Sequence, residues 1–334
     1  MTTILGIETS CDETAASVVR DGREVLSSVV SSQIDLHARF GGVVPEIASR
    51  AHVELLTPVI AEALVEAGVD ERNIDAVAAT VGPGLIGSLL VGVSAAKALA
   101  LVWGVPFVGV NHLEAHFVAA FLEEPTLEPP VVVLLVSGGH TMLVEVSEIG
   151  HYRVVGQTID DAAGEAFDKV ARFLGLGYPG GPAIDRESMA GDPHAIAFPR
   201  GLINEPGYDF SFSGLKTSVI NHVRKHPDVA TVDVCASFQE AVVDVLVTKA
   251  RRAAKDLGAK GMALAGGVAA NSLLRERFLD ACTEDGLHGF LPSRAMCTDN
   301  AAMIAATGFY RLRDDGPTPL DAGADPNLRI ATAR

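Results

Sequence analysis

The same order of secondary-structure signals occurs twice along this sequence, and the repetition limits the folds that the chain can adopt. In each copy, three strand patterns precede an amphipathic helix. These four elements lie at residues 4–67 in the first copy and at residues 131–174 in the second. Each copy then continues with a strand, a glycine-containing loop, a helix, a second strand and the start of another helix, at residues 74–112 and 262–300. Parallel strands need crossover helices, so the pattern predicts two related α/β lobes.

Ligands of such lobes bind at the loops beyond the strand ends, so the simplest arrangement has the polar turns facing one another across a cleft. Two unrelated α/β halves with a coincidental likeness are the alternative. We predict an N-terminal lobe over residues 1–124, a C-terminal lobe over residues 131–299 and a tail over residues 314–334. The helix at about residues 300–313 is expected to pack back on the N-terminal lobe, and a glycine- and proline-rich segment at about residues 175–230 is inserted in the C-terminal one.

The balance of charge restricts how the protein could bind nucleic acid. The 26 Lys and Arg residues against 42 Asp and Glu residues give a net charge of −16. Binding of nucleic acid by bulk electrostatics needs a basic surface, so a nucleic-acid substrate would require a local basic patch or a basic partner. The densest basic cluster contains Lys249, Arg251, Arg252 and Lys255, although a solvated helix end is the simpler interpretation.

Membrane insertion and export are not indicated. The N-terminus lacks the basic region of a signal peptide, and the uncharged run at residues 76–96 is interrupted by Gly82-Pro83-Gly84, which favours a buried strand, turn and helix. Four scattered cysteines without a C-x-x-C pair predict reduced thiols in a cytoplasmic protein.

The segment His112-Leu113-Glu114-Ala115-His116 is the leading metal candidate, because histidines four residues apart share one face of a helix. At about 100° per residue, Glu114 points about 200° away from His112, so it is misplaced for the base of a zinc protease. The equivalent position of the second copy is near Asp299. Two histidines and one carboxylate suit iron(II) and are tolerated by zinc. The alternatives are histidines that cap or pack and an Asp299 that caps the next helix.

Three polar turns are candidates for substrate binding or proton transfer. Ser137-Gly138-Gly139-His140 joins two apolar strands, and its main-chain amides can approach an anion without obstruction by Cβ atoms. The turn at residues 9–13 corresponds to it in the first copy, and its acids Asp12 and Glu13 could accept a proton. The loop at residues 266–271 ends in Asn271 at a helix start, where a nucleotide contact and helix capping are both possible. An ordinary hairpin and a solvated turn remain the alternatives for the first two.

Taken together, these segments resemble one family, the bacterial tRNA adenosine threonylcarbamoyltransferases (TsaD). The similar strings are GIETSCDET (6–14), GGVVPE (41–46), GPGL (82–85), NHLEAH (111–116), SGGHT (137–141), DDAAGEAFDK (160–169), FSGLKT (212–217), GGVAAN (266–271) and CTDNAA (297–302). They follow one another in the family's order over nearly the whole chain, and no signature is recognisable after Arg313.

The resemblance implies a fold of two actin-like, ribonuclease-H-like lobes and an acyltransferase. Its reaction would transfer the threonylcarbamoyl group from threonylcarbamoyl-AMP to the exocyclic amine of the adenosine 3′ of the anticodon, in tRNAs that read codons beginning with A. The implied metal is Fe²⁺, with Zn²⁺ possible, held by His112, His116 and Asp299. The residues implied for the adenylate are Leu135, Val136, Ser137, Gly138, Gly139, Asp168, Gly181, Asp185 and Asn271.

The resemblance also implies partners. These are tRNA, a TsaB-like paralogue, a TsaE-like small ATPase and a separate synthase that makes threonylcarbamoyl-AMP. We assign proton acceptance from the adenosine amine to Asp12 or Glu13, as a positioned carboxylate acts as general base. A kinase or ATPase on the same fold, a metalloprotease and a non-catalytic binding subunit are the competing functions. The first leaves the two histidines without a role, the second lacks a placed base, and the third has no need of the polar turns.

Overall fold

The strand at Thr3–Glu8 lies at the centre of a five-stranded mixed sheet with the order β3-β2-β1-β4-β5. Its strands are β1 (Thr3–Glu8), β2 (Glu13–Arg20), β3 (Glu24–Ser32), β4 (Ala76–Gly82) and β5 (Phe107–Asn111). The first three are antiparallel, and β4 and β5 run parallel to β1. Asp21 and Gly22, both with positive φ angles of 51° and 67°, form the tight turn between β2 and β3.

Helices cover this sheet. They are α1 (Ile34–Ala38), α2 (Pro45–Ala67), α3 (Ile86–Trp103), α4 (His112–Glu123) and α11 (Ala301–Asp314). Buried side chains of α2 and α3 share one core with alternate residues of the strands, among them Leu5, Ile7 and Val77. Helix α11 packs against β1, β2 and α4. The sheet and its helices therefore form a layered α/β unit, in which apolar strand residues and the apolar faces of the helices share a hydrophobic core.

A second sheet repeats this topology, with the order β10-β9-β6-β7-β8. Its strands are β6 (Val131–Val136), β7 (Thr141–Glu148), β8 (His151–Gln157), β9 (Gly261–Ala265) and β10 (His288–Phe290). Its helices are α5 (Ala163–Leu174), α6 (Gly180–Ser188), α7 (Ser213–Lys225), α8 (Thr231–Leu257), α9 (Ser272–Asp285) and α10 (Arg294–Cys297). Helices α6 and α7 lie in the segment that the sequence shows as inserted. The two related α/β lobes that the sequence predicts are confirmed.

The structure is a computed structural model that describes residues 1–330, and it divides into two units. The first comprises residues 1–125 and 298–330, and the second comprises residues 126–297. The second unit thus ends before Asp299, whereas the sequence analysis carried the C-terminal lobe to residue 299. The difference arises because α11, which follows Asp299, packs on the first sheet. Of the predicted tail, residues 331–334 lie outside the described residues.

The described part of the tail runs along the first unit. Thr318 N donates to Phe107 O (2.8 Å), and Gly109 N donates to Thr318 Oγ1 (2.8 Å), so the tail pairs with the edge strand β5. Further along, Asp325 N donates to Val81 O (2.8 Å). An edge strand presents unpaired main-chain groups, and this segment satisfies some of them.

Helix α3 is the one helix within residues 1–330 whose length and apolar composition would allow it to cross a membrane. The core helices of soluble proteins pass the same test. Val93, Ala96 and Ala100 of α3 lie in the core beside Val77 and Phe107 of the sheet. This packing agrees with the strand, turn and helix predicted for this run.

Candidate active site

Helix α4 places two histidines on one face at its first turn. The Asn111 side chain caps the helix by accepting from Leu113 N (2.9 Å), so the helix begins at His112. The rings of His112 and His116 lie 4.8 Å apart, centroid to centroid. Oδ1 of Asp299 lies 3.5 Å from Nε2 of His112 and 3.2 Å from Nε2 of His116. The three predicted ligands therefore converge within the first unit.

Asp299 does not cap a helix. Asn300 takes that position, because its Oδ1 accepts from Met303 N (3.1 Å) at the start of α11. Of the two interpretations of Asp299, capping is therefore wrong. The carboxylate of Asp299 is left to interact with the histidines.

The geometry and charge of this cluster fit a divalent metal. The potential ligand atoms of His112, His116 and Asp299 all lie within 4.8 Å of one another, and two nitrogens with one carboxylate oxygen suit iron(II) or zinc. Burial alone would lower the pKa of His112, but the carboxylates of Asp299 and Glu8 outweigh it and raise the pKa to about 9. The carboxylates thus stabilise positive charge at this position, which a bound cation would also supply.

Glu114 lies elsewhere. It is buried, and its Oε1 accepts from Arg311 Nε (2.7 Å), which joins α4 to α11. The sequence predicts that Glu114 points away from the metal face, and the structure confirms this. A metalloprotease would need a base beside the metal, so this arrangement argues against that alternative.

The turn at residues 9–13 is held by main-chain contacts on three successive residues. Its hydrogen bonds are Leu85 N to Ser10 O (2.8 Å), His52 Nε2 to Cys11 O (3.0 Å) and Gln33 N to Asp12 O (2.9 Å). His52 is itself fixed, because Thr14 Oγ1 lies 2.8 Å from its Nδ1. A solvated turn would not need such support, so the structure favours a preorganised segment.

Asp12 and Glu13 are presented by this turn. Burial raises the pKa of Glu13, and the negative charges of Asp299 and Asp12 raise it further, to about 9. The Glu13 carboxyl also accepts from Ser32 Oγ (3.1 Å). A carboxyl with a raised pKa is a stronger base once it is ionised. The Glu13 carboxyl therefore lies in a buried and negatively charged environment that favours its protonated form.

The β6–β7 turn of the second unit has two glycines that folding does not explain. Gly138 and Gly139 are exposed, neither has a positive φ angle, and a Cβ on either would meet no atom within 4 Å. The preceding Leu135 and Val136 are fully buried in β6, where they pair with the neighbouring strands and fix the position of the turn. Ser137 closes the turn by donating its N–H to His140 O (2.8 Å). Close approach of a ligand would account for the glycines.

Asp168 and Gly181 lie where α5 meets α6. Oδ1 of Asp168 accepts from Gly180 N (2.7 Å) at the start of α6, and burial raises the pKa of Asp168. A Cβ on Gly180 would press on α5, whereas a Cβ on Gly181 would meet no atom within 4 Å. Gly181, like Gly138, has no packing reason to be glycine.

Asn271 and Asp185 are hydrogen-bonded to each other. Oδ1 of Asn271 caps α9 by accepting from Leu274 N (2.9 Å), so the capping role considered for this residue is confirmed. Its Nδ2 donates to Gln239 Oε1 (2.8 Å) and Asp185 Oδ1 (3.3 Å). Asp185 also accepts from Ser272 Oγ (2.7 Å) and borders a cavity of about 220 Å³.

The basic cluster is largely engaged within the second unit. Arg251 pairs with Asp285 (2.6 Å) and Glu284 (3.0 Å), and Arg252 donates to three main-chain carbonyls in the 203–207 loop. Lys249 is 1% exposed. These contacts favour the structural interpretation over a patch for nucleic acid.

Sequence reasoning assigned no role to Glu8, Thr80 or His52. Glu8 is 0% exposed and lies against His112, and Thr80 and His52 are also buried. For Glu8 and Thr80 the available signal was a polar residue towards the end of an apolar strand, where a buried polar group needs partners, whereas His52 lies within helix α2 and no such signal marked it.

Comparison with known proteins identifies the family of this chain. The family model described as "TsaD: tRNA N6-adenosine threonylcarbamoyltransferase" matches residues 24–306. A relative of that name from Anaeromyxobacter dehalogenans is 57% identical over 99% of this chain and 100% of its own. Another from Thermotoga neapolitana is 53% identical over 98% of this chain and 99% of its own.

Solved structures with low sequence identity share the fold. Full-length HypF, in its phosphate- and nucleotide-bound form, aligns with a TM-score of 0.65 at 15% identity over 95% of this chain and 47% of its own. Component A of (R)-2-hydroxyglutaryl-CoA dehydratase from Acidaminococcus fermentans aligns with a TM-score of 0.57 at 15% identity, over 94% and 100% of the two chains. The matched family model and the near full-length relatives show that the chain belongs to the TsaD family.

Proposed function

We propose that this protein is a tRNA adenosine threonylcarbamoyltransferase. It transfers the threonylcarbamoyl group from threonylcarbamoyl-AMP to the exocyclic amine of the adenosine 3′ of the anticodon, in tRNAs that read codons beginning with A. The observation that carries this proposal is the family's match to residues 24–306 in a chain whose polar residues converge on one cluster, His112, His116 and Asp299. The reaction takes place in the cytoplasm.

The metal of this enzyme is Fe²⁺, with Zn²⁺ as the second candidate, and its ligands are His112, His116 and Asp299. The donor is a mixed anhydride of a carbamic acid and a phosphate. A bound divalent cation supplies Lewis-acid polarisation of an anhydride oxygen. The metal ligands lie at the starts of α4 and α11, which the side chains of Asn111 and Asn300 cap.

The adenylate is bound by the second unit. The amides of Gly138 and Gly139 contact its phosphate beside the hydrogen bond by which Ser137 closes the turn, and the absence of Cβ atoms at Gly138, Gly139 and Gly181 leaves room for close approach. Leu135 and Val136, buried in β6, hold this turn in place. Asp168, Asp185 and Asn271 complete the binding residues, acting through helix starts that their side chains hold in place.

Transfer forms one bond and breaks another. The N6 amine of the adenosine attacks the carbamoyl carbon, the bond from that carbon to the phosphate oxygen breaks, and AMP leaves with the electron pair. The amine proton passes to Asp12 or Glu13. An aryl amine is a weak nucleophile, so positioning contributes more than deprotonation before attack.

Partners provide what this chain lacks. A synthase makes the donor, and a TsaB-like paralogue and a TsaE-like ATPase work with the enzyme. With a net charge of −16 and a basic cluster engaged in internal contacts, the isolated chain binds tRNA weakly, and the affinity rises when the partners are added.

Reconstitution tests the proposal. The purified chain is mixed with synthase, both partners, ATP, bicarbonate, labelled threonine and tRNA, and the Anaeromyxobacter dehalogenans relative replaces it in a parallel reaction. Label is expected in tRNA, but not in a tRNA whose target adenosine is replaced by guanosine. No label with this chain, when the relative labels the same tRNA, contradicts the proposal. ATP turnover without tRNA that survives His112→Ala would favour phosphate transfer instead.

Metal analysis after anaerobic purification tests the cofactor. About one Fe per chain is expected, and a His112→Ala His116→Ala double variant should lose it. Zinc at the same ratio would replace iron in the proposal, and a metal-free, fully active wild type would remove the metal from it.

A further inference from the structure

A buried carboxylate lies directly behind one of the two histidines. Glu8 ends β1 and is 0% exposed. Its Oε2 lies 3.1 Å from Nδ1 of His112, and the same oxygen accepts from Thr80 Oγ1 (2.6 Å). Its other oxygen accepts from Ser10 N (2.5 Å). The carboxylate is therefore fixed by strand β4 on one side and by the turn at residues 9–13 on the other.

This arrangement separates the roles of the two ring nitrogens of His112. Nε2 lies towards Asp299, at 3.5 Å from its Oδ1, whereas Nδ1 lies towards Glu8. This orientation lets Nδ1 donate a hydrogen bond to Glu8 while Nε2 faces the position of the metal. The Ser10 hydroxyl, 3.2 Å from Nδ1, can share this hydrogen.

His116 has no such support. Its Nδ1 is buried and has no hydrogen-bond partner within residues 1–330. Among the described residues, the orientation of the histidine pair therefore depends on the contacts of His112 more than on those of His116. Outer-shell partners of this kind fix the orientation of a ligating ring and increase its basicity.

We infer that Glu8 is a positioning residue for the metal ligand His112, and that Thr80 in turn fixes Glu8. The inference rests on the metal site of the proposed function. Burial of a carboxylate costs free energy unless hydrogen bonds compensate, and all the bonds found here lead to the turn, to β4 or to His112. Glu8 thereby couples the position of the 9–13 turn to that of the ligand.

The chain offers a matched control. Glu114 is also a buried carboxylate near the histidines, but it lies on α4 and pairs with Arg311 of α11. Glu8→Gln and Glu114→Gln each remove one buried negative charge while keeping the shape of the side chain. A general loss of packing would affect metal binding similarly in both variants, whereas a positioning role affects only the first.

Metal affinity is the readout, measured by titrating metal-free protein with Zn²⁺ against a chromophoric chelator and with Co²⁺ by its visible absorption. We expect Glu8→Gln to raise the Kd for both ions by about 10- to 100-fold and to change the Co²⁺ spectrum. Thr80→Val should raise the Kd by a smaller factor, and Thr80→Ser, which keeps the hydroxyl, should restore it. Glu114→Gln should lower the melting temperature and leave the Kd within about twofold of wild type.

The outcomes separate this inference from the proposed function. If wild type binds the ions and Glu8→Gln binds them equally well, the inference is wrong and the metal site stands. If wild type binds neither ion, the metal part of the proposed function fails and the inference fails with it. If Glu8→Gln does not fold, the Thr80→Val and Thr80→Ser pair decides: equal affinities overturn the inference.

Discussion

The contact between α11 and β1 should be sensitive to one methyl group. A Cβ added to Gly6 would lie 2.7 Å from Ala305 N and 2.9 Å from Ala305 Cβ, and it would also press on Ala301 O. Carbon atoms pack favourably at about 3.5–4.0 Å, so Gly6→Ala would push α11 away from the sheet by roughly 1 Å. Two of the opposing atoms belong to the helix main chain, which cannot rotate away.

This displacement has a cost in stability and a second effect at the site. Overpacking of this kind costs about 1–3 kcal/mol, and we expect the upper end of that range. For a unit of this size, about 3 kcal/mol corresponds to a fall of about 6–12 °C in melting temperature. Asp299 lies two residues before α11 begins, so it should move relative to the histidines, and the transfer rate should fall by up to about 100-fold.

Differential scanning calorimetry, Zn²⁺ titration and the transfer assay measure these effects. Gly323→Ala is the matched control, because a Cβ there would meet no atom within 4 Å and the residue has no positive φ angle. Its melting temperature should stay within about 2 °C of wild type. A Gly6→Ala protein with the melting temperature and Zn²⁺ affinity of wild type would refute the packing argument.

Four further substitutions test other parts of the structure. Gly138→Ala should weaken binding of AMP, measured by calorimetric titration, without lowering the melting temperature, whereas Gly164→Ala should lower it, because its Cβ would meet main-chain atoms of the 137–138 turn. His52→Leu removes the donor to Cys11 O, and an unsatisfied buried carbonyl should cost about 1–3 kcal/mol in chemical denaturation and also lower the transfer rate. Burial alone would raise the pKa of Asp160, but hydrogen bonds from the 211–213 segment outweigh it and hold the pKa below its usual value. The stability that Asp160 contributes is therefore present above about pH 4 and lost as the pH falls further, so the melting temperatures of wild type and Asp160→Ala should converge at acidic pH.

Local sequence patterns predict most of the fold, because the period of apolar residues reports which face of an element is buried. The first repeated segment is predicted to end at residue 67 and the second to span residues 131–174, and in the structure α2 ends at Ala67, β6 begins at Val131 and α5 ends at Leu174. The least predictable segment was the insertion at residues 175–230. Helices α6 and α7 lie there, and their short apolar patterns are interrupted by glycine and proline.

The candidate site also has features that the sequence predicts and features that only the structure shows. The spacing of His112 and His116 is a local property, so the sequence predicts a shared face. The role of Asp299 was open between capping and metal binding, and it depended on whether Asn300 would cap α11 instead. Gly138 and Gly164 occur in similar glycine-containing strings, yet only the neighbours in space show that the second is required by packing and the first is not.

The sequence by itself determined the two repeated lobes, the family and the identity of the residues that converge, because these follow from periodicity and from ordered motifs. The tertiary structure decided which residues support the converging side chains. Glu8 lies 104 positions from His112 and 72 from Thr80, and no local pattern joins positions so far apart. It also decided that Asp299 belongs to the first unit, because α11 buries its apolar face on the first sheet after the chain has built the second.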